Sequence, residues 1–216
     1  MKKAFTLSEV LITLGIIGVV AALTLPGLIN SLQKRELQIA LKKNYSVISQ
    51  AFMAMEQDLG ENIDGSSYPV YTFFPEFKKY FKTVRDCNRR DCVPQEGSNY
   101  KNFSKSANIN QYYLDDGQIV LTDGSLILIE NPAAVDQQRV WISVDINGYK
   151  KPPNAWGHDL FTFQVTSSGK LLPMGAEGTM YTDLSTYCSK DSAGNMNGIA
   201  CTAKALEDPD YFKNLP

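Results

Sequence analysis

Apolar and polar positions alternate in three regimes along this chain. From Val10 to Ile29 no residue is charged, a run of 20 dominated by Leu, Ile, Val, Ala and Gly. That is about the length a helix needs to cross a roughly 30 Å hydrocarbon core, so the run predicts a membrane span. Beyond it, Leu41, Tyr45, Ile48, Phe52, Met55 and Leu59 recur at alternating spacings of four and three, while Lys42, Lys43, Gln50 and Gln57 fall off that stripe. The spacing predicts an amphipathic continuation of the same helix over residues 30–60, ending near Gly60.

The second regime, residues 68–113, is dense in aromatic residues and irregular. A short helix is expected around Glu76 to Val84, packed on the core. The third regime has the rhythm of an antiparallel sheet. Gln118 to Thr122 and Ser125 to Glu130 flank Asp123-Gly124, a strong hairpin signal, and further strands are expected over Arg139 to Ile146, Leu160 to Thr166 and from Lys170. A meander with one face on the long helix would bury Ile119, Leu121, Leu126, Leu128, Trp141 and Phe161 or their alternates. The fold class is therefore α+β, a long amino-terminal helix against an antiparallel sheet with disulfide-bearing loops. Thr202 to Leu206 predicts a short helix, and Asp208 to Pro216 a surface tail.

Composition adds little until charge and cysteines are placed. Of 216 residues, 21 are Lys or Arg and 23 Asp or Glu, so a formal net charge of −2 gives no reason to expect nucleic acid as a partner. The roughly 185 residues after Leu28 suffice for a single core. Lys2 and Lys3 favour a cytoplasmic amino end, but Lys34 and Arg35 weaken the asymmetry. Four cysteines fall into two local pairs, Cys87 with Cys92 and Cys188 with Cys201, the favoured of three connectivities; as disulfides they point to an oxidising compartment. A four-cysteine zinc site competes, without the tight spacing zinc modules use. Between Cys87 and Cys92, Arg89 and Arg90 form the best basic patch.

Candidate chemistry concentrates in two places. Glu9 sits at the amino end of the apolar run, where an ionised carboxylate demands a partner or an interfacial position, or caps the first helical turn. Pro26 removes a backbone donor, and a kink or local unwinding is expected before it. In the loop VDINGYKKPPNAWGHD, Asp145, Asn147, Asn154 and Asp159 offer the hard oxygen ligands that suit Ca²⁺, although the loop is not an EF-hand and the same residues serve as turn formers. Catalytic signatures are weak. His158 is the sole histidine, and Tyr113, Asp115 and Asp116 lack a case as a site, the two acids reading as solvated surface, so no enzyme is expected.

The segment KKAFTLSEVLITLGIIGVVAALTLPGLI resembles the amino terminus of type IV prepilins and of type II secretion pseudopilins. The resemblance implies a leader, residues 1–4, cut by a prepilin peptidase between Ala4 and Phe5, with methylation of the new terminus; Ala4 stands where the family most often has Gly. It implies that residues 5–29 are a transmembrane and assembly helix, that Glu9 pairs with a neighbour's terminal amine, and that Pro26 loosens the helix. Residues 61–216 would form a periplasmic domain of a single-pass inner-membrane protein. V-D-x-N-G followed by P-N-x-x-G-x-D-x-F is similar to a pseudopilin loop that in some members holds calcium, so Ca²⁺ is a possible ligand and no cofactor is required. The implied function is a structural subunit of a type II secretion pseudopilus, or alternatively of a type IV pilus. Implied partners are the peptidase, other pilin or pseudopilin subunits, the inner-membrane assembly platform and membrane lipid.

Overall fold

The computed structural model describes residues 6–93, 100–131 and 139–216. Helix α1 (Leu7–Leu59) is followed by α2 (Phe73–Phe77), then β1 (Thr83–Asp86), β2 (Gly117–Leu121), β3 (Leu126–Glu130), β4 (Val140–Asp145), β5 (Leu160–Val165) and β6 (Leu171–Pro173), and by α3 (Leu184–Tyr187) and α4 (Cys201–Glu207). The chain divides into two compact units, residues 1–36 and 37–216.

In the first unit α1 carries the apolar run, and it stays helical on both sides of Pro26. The expected unwinding is absent: proline forfeits one intrahelical bond, and the turns on either side keep theirs.

In the second unit the six strands pair antiparallel in sequence order, β1 to β6. Asp123-Gly124 makes the β2–β3 turn, with Gly124 at φ +89°, where a side chain would be strained. The predicted stripe of α1 supplies Leu41, Ile48, Phe52 and Met55 to a core with Ile119, Leu121, Ile127, Ile129, Ile142, Val144, Phe161 and Phe163. Tyr45 stacks on Phe163 at 5.1 Å. At Gly117 an added Cβ would lie 2.1 Å from the Phe74 ring, so β2 and α2 approach through a missing side chain.

The sheet is covered on both faces, not one. Leu126, Leu128, Trp141 and Leu160 point away from the α1 core into a second cluster with Tyr100, Ile109, Trp156, Met174 and Ile199. Of the six positions expected against the helix, Leu126, Leu128 and Trp141 therefore lie on the opposite face. The period of two assigns alternate residues to opposite sides, and β3 and β4 are buried on both, as in a sheet between layers. The covering layer comes from irregular segments. Two further expectations change: Val84 lies on strand β1 rather than a helix, and Tyr211 and Phe212 are buried in the core, so the carboxy-terminal stretch is no surface tail.

Cys87–Cys92 and Cys188–Cys201 are disulfides, with Cα atoms 5.4 and 5.0 Å apart, which leaves no cysteine for zinc. Phe163→Ala should destabilise the unit by about 3–5 kcal/mol, since a fully buried ring is lost from beneath Tyr45; thermal unfolding followed by near-UV circular dichroism checks it.

Candidate functional site

The processing positions Ala4 and Phe5 lie outside the described residues. The first described turn is built around Glu9. Its Oε2 accepts from the Thr6 backbone N–H and hydroxyl, both at 2.8 Å, while the Thr6 Oγ1 accepts from the Glu9 N–H at 3.2 Å. This T-x-x-E reciprocity is a capping box, which satisfies donors that a helix start leaves free. Beyond it Leu11, Ile12, Leu14, Ile16, Ile17, Val19, Val20 and Leu23 are all exposed. Among the described residues, α1 is the helix long and apolar enough to cross a membrane, and its most apolar window has none of its residues buried within the chain. Such a surface is stable only in lipid or against other apolar helices.

The oxygen-rich loop joins β4 to β5. Strand pairing sets Asp145 opposite Leu160, which brings Asp159 beside it, and both carboxylates are wholly buried. Asp145 accepts from the Tyr100 hydroxyl at 2.6 Å and from the Gly148 N–H at 2.8 Å. Asp159 accepts from the N–H groups of Asn154 and Ala155 at 2.8 and 2.7 Å. Burial, reinforced for Asp145 by its acidic neighbour, holds both carboxyls above the usual range. Asn147 and Asn154 donate through Nδ2 to the carbonyls of Lys151 and Tyr149, which turns each Oδ1 to a buried position without a hydrogen-bond partner among the described residues. Two buried carboxylates and two orphaned amide oxygens thus share one loop, a donor set of the hard type that Ca²⁺ takes.

A second acidic group forms where solvated surface is expected from the sequence. Asp115, Asp116 and Glu130 are buried, with ligand oxygens within 4.8 Å of one another, close enough for a divalent ion such as Ca²⁺ to bridge. Three arginines already offset their charge: Arg90 to Asp115 at 2.9 Å, Arg89 to Asp116 at 2.8 Å and Arg139 to Glu130 at 2.7 Å. Arg89 also lies 4.1 Å over the Tyr71 ring. The NRRD loop closed by Cys87–Cys92 is thus pinned to the sheet: Arg89 and Arg90 stay partly exposed but face acids, and Asp115 and Asp116 are interior, not the solvated surface expected. The one available signal was the match of charge and number between Arg89-Arg90 and Asp115-Asp116, which local patterning does not reveal as a contact.

Residues 1–25 match the family model described as a prokaryotic N-terminal methylation motif. Comparisons with curated proteins and with solved structures each return no match. The motif implies processing by a prepilin peptidase, and the apolar helix with its six-stranded, disulfide-bearing sheet domain is consistent with a pilin-like, structural and non-catalytic architecture.

The buried cluster makes stability pH-dependent. Burial raises Glu130 from 4.5 to about 8 and Asp115 from 3.8 to about 6, against the pull of their arginines. Folded values above unfolded ones mean that this contribution is complete below the unfolded values and is lost as pH rises through about 6 and then about 8. His158, buried and lowered to about 4, acts oppositely, costing stability only as pH falls below about 6.5. Between about pH 6.5 and 9 Glu130 alone should cost about 2 kcal/mol, and Glu130→Gln should flatten the denaturation profile by that amount.

Proposed function

With a prepilin-type motif at its start, an uncovered apolar helix and a folded sheet domain as premises, we propose that this chain is a structural subunit of a type II secretion pseudopilus. It would sit in the inner membrane before joining the filament through α1. The observation that carries the reading is the helix itself: among the described residues none of 10–29 is buried, and all but the last four lie within the matched motif. Removal of residues 1–4 would make Phe5 the amino terminus. Its amine, methylated or not, would be a cation beside a helix start that presents Glu9. Both Thr6 bonds fall on Oε2, and Oε1 has no hydrogen bond among the described residues, so capping its own helix and pairing with a neighbour's amine are compatible roles. In an apolar bundle a lone carboxylate is costly, and that cost would enforce one register. Pro26, which leaves α1 one bond short, is the place for the helix to loosen when it exchanges lipid for protein.

The two disulfides support export of residues 61–216 to the periplasm, with the amino end cytoplasmic and residues 30–60 linking span to domain. They equally favour a second reading, a type IV pilus subunit whose stapled loops meet the outside. The β4–β5 loop is proposed to hold Ca²⁺ through Asp145, Asn147, Asn154 and Asp159; the support is the pair of orphaned oxygens beside two buried carboxylates. The ion would neutralise the carboxylates and fix the loop.

Intact mass of the mature protein should show loss of Met1 to Ala4 and gain of one methyl, and an uncut terminus would refute processing. Glu9→Ala should abolish filaments while the domain stays folded. Calcium at 100-fold over its dissociation constant should stabilise the wild type by about 2.7 kcal/mol in thermal unfolding. Asp145→Ala and Asp159→Ala should remove that shift, and a wild type indifferent to calcium would leave the loop purely structural.

A further inference from the structure

A groove opens between the β1 edge and the outer side of the β4–β5 loop. It has a cavity volume of about 410 Å³ and is lined by Val84, Val120, Leu126 and Tyr149, with Arg85, Lys150 and Lys151 around it. Val84 is the one strand residue among the exposed large apolar side chains of the described residues. None of the three cations is in an ion pair among the described residues, and Arg85 donates only to the Asp91 carbonyl, at 3.3 Å. The acid on the rim, Asp123, is paired with Lys43 at 2.9 Å. The groove therefore presents three cations above an apolar floor.

The complementary surface is on the same domain. Where α1 ends, Asp58, Glu61 and Asp64 flank and follow Leu59, with no base between Asp58 and Asp64 and no ion pair among the described residues. Asp64 accepts from Ser66 and Ser67 and Asp58 from the Tyr80 hydroxyl, so the turn is held in shape without being neutralised. Lys43 fixes the groove's level on α1, and Leu59 is 16 residues further on, about 24 Å along the axis at 1.5 Å per residue. Basic groove and acidic turn thus stand at different levels of one helix. Two unlike, complementary patches on one molecule make a heterologous contact, which propagates head to tail instead of closing a dimer.

We propose that the groove lined by Val84, Arg85, Lys150 and Lys151 receives the Asp58–Asp64 turn of a second copy of this chain. The contact rests on the self-assembling function above and gives it a domain-level interface, independent of the apolar helix. One wall, Asn147 to Lys151, is the oxygen-rich loop, so whatever orders that loop also shapes the groove.

The test uses the full chain in detergent micelles, as an equal mixture of ¹⁴N and ¹⁵N copies, with a zero-length carbodiimide crosslinker. Mixed-isotope crosslinks between Lys150 or Lys151 and Glu61 or Asp58 are expected. Their absence overturns the proposal. Arg85→Glu/Lys150→Glu/Lys151→Glu should lower the multimer yield roughly tenfold, as should Asp58→Lys/Glu61→Lys, because each variant then opposes like charges. Mixing the two variants restores both unlike pairs and should recover the yield. Undiminished multimers in either variant alone, or no recovery on mixing two variants whose far-UV circular dichroism is unchanged, also overturn the proposal. Filaments without these crosslinks leave the assembly function standing and reject the groove; crosslinks without filaments do the reverse.

Discussion

A single apolar stripe on α1 is the constraint from which the domain is built. Leu41, Ile48, Phe52 and Met55 are covered by the sheet, and that contact decides which alternate residue of every strand faces inward. Once Ile127 and Ile129 face the helix, Leu126 and Leu128 must face away. A second layer is then required over them, and loops around Tyr100, Trp156 and Ile199 supply it. The aromatic density of those loops is the chemical consequence of covering a sheet without a second long helix.

Covering the far face buries charge, and the chain deals with it in two ways. At Asp115, Asp116 and Glu130 it brings three arginines, two of them on a disulfide-closed loop, so carboxylates out of water keep counter-charges within 3 Å. At Asp145 and Asp159 it brings backbone N–H groups and a tyrosine hydroxyl but no cationic side chain among the described contacts. The first arrangement gives each carboxylate one arginine, although burial still favours the protonated forms of Glu130 and Asp115. The second carries no such counter-charge, and both leave buried oxygens without a hydrogen bond among the described residues, Asp115 Oδ2 and Glu130 Oε2 in the first, Asn147 Oδ1 and Asn154 Oδ1 in the second.

The amino-terminal half of α1 poses the reverse problem, with a great deal of apolar surface and nothing in its own chain to bury it. Free energy then favours whatever supplies an apolar surrounding, as a bilayer does. Glu9 is tolerable there because Thr6 already satisfies one of its oxygens. The exposed domain surface shows a similar division, with cations on one patch and acids on another.

Much of this was legible in the residue order because it depends on local period. The charge-free run, the four-three stripe of Leu41 to Leu59, the Asp123-Gly124 hairpin and the strands after it follow from spacings of a few residues, which the backbone of a helix or strand reads directly. The grouping of Asp145, Asn147, Asn154 and Asp159 was visible for the same reason, since one short loop holds them all. Tertiary structure alone decided which face of the sheet takes Trp141, that Arg89 and Arg90 meet Asp116 and Asp115, and that Tyr211 and Phe212 return to the core. Those contacts join residues far apart in sequence, and whether a charged or aromatic side chain ends in water or in the interior is set by what the rest of the chain lays over it.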